Sequence, residues 1–90
     1  MDETDESWTP MAEDAATESA VLRQVLDFHP VLVTMDELVR EVGGESPGFA
    51  ERDAIERAVR DLVGVGLLHS HEVFIVPTRA ALRFSELLDR

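Results

Sequence analysis

A mainly α-helical domain with one small β-hairpin is the fold class this sequence predicts, and three observations predict it. Apolar residues recur at helical spacing in four separate stretches, around Val21–Leu26, Leu38–Val42, Ile55–Leu62 and Ala81–Leu88. One region, about residues 67–76, changes to short β-prone runs. Pro30, Gly43-Gly44, Gly64, Gly66 and Pro77 separate these segments with residues that interrupt regular structure. At 90 residues the chain has the size of a single domain sharing one core.

The first helix carries Val21, Leu22, Val25 and Leu26 on one stripe and ends near Phe28-His29-Pro30, because proline disfavours helical geometry at the residue before it. Thr9-Pro10 is also a helix-start signature, consistent with an extra turn ahead of the main helix. In Thr34-Met35-Asp36-Glu37 the hydroxyl of Thr34 is placed to accept from the Glu37 amide while the Glu37 carboxylate reaches back to the Thr34 amide, a capping box. It opens a short second helix with Leu38, Val39 and Val42 on its apolar face, closed by Gly43-Gly44. Residues 43–50 read as a loop.

A third helix, about residues 51–63, turns Ile55, Ala58, Val59 and Leu62 inward. The hairpin then joins Leu67-Leu68-His69 to Val73-Phe74-Ile75-Val76 through a tight connection around Ser70-His71, which lacks the Asn-Gly or Asp-Gly that fixes a two-residue turn. A last helix after Pro77-Thr78 places Ala81, Phe84, Leu87 and Leu88 on one face. Leu82 falls nearly opposite, exposed, as an oligomer contact through the C-terminal helix.

Residues 1–16 form an acidic arm, with six carboxylates, no cation, and Trp8 and Met11 as its large apolar side chains; the expectation is a disordered segment ahead of a domain spanning 17–90. Trp8 is read either as packing on its own domain or as an anchor for a partner protein. The net charge is −11, and all eight cations are arginine. A GC-rich genome and a surface adapted to concentrated salt both account for acidity without lysine. Absence of cysteine removes disulfides, thiolate metal sites and cysteine nucleophiles. Neither a membrane span nor a secretion signal is visible, so a cytoplasmic protein is expected. No His, Ser or carboxylate constellation has catalytic spacing, and GGESPG lacks the Lys and Ser/Thr of a phosphate loop; the chain reads as a non-enzyme without cofactor.

The stretch HPVLVTMDELVREV resembles the junction of the first two helices in winged helix-turn-helix domains of small prokaryotic transcription regulators. AIERAVRDLVGVGLL resembles their recognition helix running into the first wing strand, and VPTRAAL the exit from the wing into a C-terminal helix. The resemblance covers residues 17–89. It implies a three-helix core, a two-stranded wing and a C-terminal helix, and a dimeric regulator of transcription that binds double-stranded DNA through its third helix and wing.

On the third helix, a core at Ile55, Ala58, Val59 and Leu62 turns Asp53, Arg57 and Arg60 outward, with Arg52 and Glu56 on a flank. Arg52, Arg57 and Arg60 are therefore the candidate DNA contacts, since arginine grips phosphate and guanine edges in a bidentate manner. Arg57 is the outermost of the three. Ser70 and His71 are the candidate phosphate donors of the wing. The same spacings also make intrahelical ladders, Arg52-Glu56-Arg60 and Asp53-Arg57-Asp61, with four acids against three arginines from Glu51 to Leu62. That balance, with the net charge, suits an acidic protein-interaction module on the same scaffold, an adaptor that does not bind DNA. His69 and His71 are two apart and share a strand face, but two ligands do not make a metal site.

Overall fold

The computed structural model describes residues 10–89, in the order α1 (Pro10–Phe28), β1 (Val33–Thr34), α2 (Met35–Gly43), α3 (Phe49–Gly64), β2 (Leu68–His71), β3 (Phe74–Pro77) and α4 (Arg79–Leu88). Trp8 and the rest of residues 1–9 lie outside the described residues. The three strands form one antiparallel sheet in the order β1-β3-β2. The chain is thus mainly helical with a small sheet. That sheet has three strands where sequence reasoning expected two, because β1 is only two residues long and too short to show a period.

The helix-start signature at Thr9-Pro10 marks where α1 begins, ahead of the boundary drawn at residue 17. Glu13, Asp14, Ala15 and Ala16 are helical yet exposed, so these four residues add nothing to the core. Further along, Val21 and Val25 are fully enclosed. They meet Leu38 and Val39 of α2, Ile55, Ala58, Val59 and Leu62 of α3, and Val33, Leu68 and Ile75 of the sheet in one apolar cluster. Each element is too short or too polar to persist alone, and the shared centre supplies what propensity does not.

The capping box forms as read. The Glu37 amide donates to the Thr34 hydroxyl at 3.2 Å, and the Thr34 amide donates to the Glu37 carboxylate at 2.9 Å. Thr34→Ala is expected to lower stability by about 1 kcal/mol. A denaturation midpoint equal to that of the parent chain would show that this nine-residue helix does not depend on its cap. At the other end Gly44 takes a left-handed φ of 95° and donates to the Arg40 carbonyl. Gly43 lies inside α2, and a side chain there would meet Pro47 at 3.1 Å and Ile55 at 3.3 Å. The α2–α3 corner is therefore close-packed, and the connecting loop shortens to residues 44–48.

In the hairpin, Ser70 and His71 belong to β2 and the turn is Glu72-Val73, a correction to the sequence reading that placed the connection at Ser70-His71. The register pairs Ser70 with Ile75 and His71 with Phe74, and β1 extends it by pairing Val33 with Ile75 and Thr34 with Phe74. Keeping Leu68, Ile75 and Val33 on the core face sets that register, and polarity alone had made Ser70-His71 resemble a turn. Glu72 instead takes the left-handed conformation, with φ of 57°, that a glycine would adopt without cost.

The last helix is also rotated from the expected orientation. Thr78 caps α4 by accepting from the Ala81 amide at 3.2 Å, while its hydroxyl donates to the Gly66 carbonyl at 2.7 Å and its own amide to the Leu67 carbonyl. This double attachment fixes which face meets the core. Ala81 is buried, Leu82 and Ser85 are half-buried, and Phe84, Leu87 and Leu88 are exposed rather than packed. No helix among the described residues is long and apolar enough to cross a membrane.

Candidate nucleic-acid interface

The outward face of α3 follows from its buried one: with Ile55, Ala58, Val59 and Leu62 inside, Asp53, Arg57 and Arg60 are exposed and Arg52 and Glu56 half-buried on the flank. The three arginines have different surroundings. Arg52 reaches back across the α2–α3 corner to Asp36 at 2.9 Å and along its own helix to Glu56 at 3.4 Å. These two carboxylates raise its already high pKa. Arg57 holds Asp53 at 2.6 Å and touches Asp14 of α1 at 3.5 Å. Arg60, one turn further, makes no ion pair among the described residues, and the same holds for exposed Arg40 on α2.

The expected ladders therefore form only in part. Arg52-Glu56 and Asp53-Arg57 are present, whereas Asp61 turns to α1, where it shares a shallow cleft with Asp14, Glu18 and Arg57. Sequence spacing exposes pairs within a helix. Asp36 and Asp14 come from other elements, so only the tertiary fold brings them to Arg52 and Arg57. In the cleft, burial first and then the Asp61 and Asp14 carboxylates push the Glu18 carboxyl above its ordinary value.

A carboxyl raised in the folded state weakens folding once it must ionise. The penalty is absent below 4.5, an ordinary glutamate's value, and complete above the raised folded value. Glu18→Gln is accordingly expected to raise the melting midpoint at neutral pH and to leave it unchanged in acid below that value. Equal shifts at both pH values in paired thermal melts would mean that the charge is not the cause.

On the hairpin, His69 and His71 share one face with ring centroids 6.5 Å apart and planes 20° from parallel. Ser70 takes the opposite face, with Leu68 and Ile75. Its hydroxyl and the His71 ring thus serve different sides of the sheet. No group of three His, Asp or Glu side chains suited to a metal ion occurs among the described residues. At the start of α3, Phe49 is 86% exposed, a feature hidden from sequence reasoning because the residue had been placed in the loop. No family model matches this chain, and neither does any curated protein or solved structure.

Proposed function

We propose that this chain is a winged-helix DNA-binding protein and regulator of transcription, reading duplex DNA with α3 and the β2–β3 wing. The observation that carries this reading is the element order, helix, short strand, capped helix, helix, hairpin, helix, with β1 joined to the wing through β3. A close-packed α2–α3 corner supports it, since a recognition helix needs a rigid mount. Arg60 and Arg40 supply exposed guanidinium groups on these two helices without a carboxylate to displace among the described residues. Arg52 and Arg57 must exchange partners, and exposed ion pairs of this kind hold only about 0–1 kcal/mol each. The acidic remainder of the surface makes such binding strongly dependent on the salt in which it is measured.

A second reading, the acidic protein-interaction module, draws on one specific observation: Asp36, Glu56, Asp53 and Asp14 already occupy two of the three arginines on α3. Fluorescence anisotropy with random duplex and with duplex selected from a random pool separates the two. The DNA reading expects an enriched sequence and an affinity that falls linearly on a log–log plot against salt, with slope about −0.9 per phosphate neutralised. Selection that enriches nothing, with no salt-dependent binding to random duplex, would replace it by the adaptor reading.

A further inference from the structure

We propose that the pocket between the end of α1 and the first half of α2 binds a small zwitterion with an aliphatic body, an α-amino acid of the size of leucine. The proposal does not rest on whether the protein binds DNA. The pocket is open, with a volume of about 180 Å³. Sites for drug-sized molecules run to roughly 300–1,000 Å³, so the occupant here is smaller than those. Phe28, Val31, Leu32 and Val33 supply its apolar lining. Val31 and Leu32 are 67% and 53% exposed, side by side in the chain, so an apolar ligand body would take contiguous apolar surface out of water. The lining is also held in place before any ligand arrives. The Val31 amide donates to the Phe28 carbonyl at 2.6 Å, and Val33 is fixed in β1 opposite Ile75.

Charge identifies the occupant. The remaining lining is Glu37, Arg40 and Glu41, whose spacing along α2 sets all three on one face of the helix. Arg40 nevertheless pairs with neither acid, and it makes no ion pair among the described residues. Glu37 is turned back to the helix cap, where the Thr34 amide and hydroxyl both donate to its Oε1, at 2.9 and 3.3 Å. Its Oε2 and the Glu41 carboxylate accept no hydrogen bond from another described residue. One guanidinium and two carboxylates thus border an apolar floor with hydrogen-bonding capacity to spare. A ligand carrying only a carboxylate would gain Arg40 but face two glutamates, and one carrying only an amine would gain the glutamates but face Arg40. An amino acid satisfies all three. Its carboxylate suits the guanidinium fork, its ammonium suits the glutamates, and its side chain covers Val31 and Leu32.

Amide chemical shifts of the isotope-labelled full chain, followed during titration with L-leucine at neutral pH, test this. Saturable shifts are expected, concentrated at Phe28–Val33 and Glu37–Glu41. Isocaproate and isoamylamine keep leucine's aliphatic body but lack its ammonium and its carboxylate respectively. Each is expected to bind more weakly than leucine by about tenfold or more, the loss typical of one charge-assisted contact. Arg40→Gln and Glu41→Gln change exposed side chains that hold no described partner, so helical circular dichroism is expected to stay as in the parent chain. Each is expected to weaken leucine binding by a similar factor. Absence of saturable shifts with leucine overturns the proposal. So does saturation centred on other residues, a half-ligand that binds as tightly as leucine, or leucine binding indifferent to both charge substitutions.

Discussion

Leu38→Ala is expected to lower the unfolding free energy by about 2–5 kcal/mol, read as a shift in denaturant midpoint at constant slope. Leu38 is fully enclosed and is the largest buried side chain of α2. The helix it anchors is nine residues long, below the length at which helices persist alone. Truncation removes transfer energy and leaves a cavity between helices tied at the α2–α3 corner, where close packing around Gly43 limits collapse. For a domain of this size total stability is about 5–10 kcal/mol, so the loss takes a large part of it. Leu38→Met keeps the volume and is expected to cost less than about 1.5 kcal/mol. A loss under about 1 kcal/mol for the alanine variant would mean that α2 is held mainly by its cap.

Arg60→Ala is expected to weaken binding to a selected duplex by about 1–3 kcal/mol, roughly ten- to a hundredfold, with stability unchanged within about 0.5 kcal/mol. Sequence spacing made Arg57 the leading candidate as the outermost cation of the helix. Its contacts to Asp53 and Asp14 give it a second task, joining α3 to α1, so Arg57→Ala is expected to cost a few tenths of a kcal/mol in stability as well. Arg60 makes no such contact among the described residues. The two variants are to be compared on the same duplex and on random sequence, in parallel with thermal melts. If Arg60→Ala binds the selected duplex as tightly as the parent chain, α3 does not read DNA through this side chain.

Helix periodicity carried most of the architecture, because a stripe such as Ile55, Ala58, Val59 and Leu62 is repeated often enough in one helix to define a face. The capping box at Thr34 was legible for a different reason, since both its hydrogen bonds are local in sequence. Features set by contacts between distant segments were not legible. β1 exists because Val33 finds Ile75, forty-two residues away in the chain, and the hairpin turn moves to Glu72-Val73 because that pairing fixes the register. The orientation of α4 was misread for a similar reason. Phe84, Leu87 and Leu88 do lie on one side of the helix, but the attachment of Thr78 to Gly66 and Leu67 decides which side faces inward. Among the candidate site residues, the outward placement of Arg57 and Arg60 followed from the wheel, and their differing partners did not.

Thr34 belongs to two elements at once, as the last residue of β1 opposite Phe74 and as the cap of α2. The sheet and the helix therefore have no flexible joint between them, and the hairpin is mechanically geared to the start of α2. Bending the hairpin pulls on the residue whose hydroxyl and amide hold the first turn, so displacement there is passed to the start of α2 without an intervening hinge. In amide hydrogen exchange the two regions should behave as a single opening unit: protection of β3 and of the first turn of α2 is lost together. A displacement of the hairpin acts by the same gearing on the axis of α2, and through the close contact at Gly43 on α3.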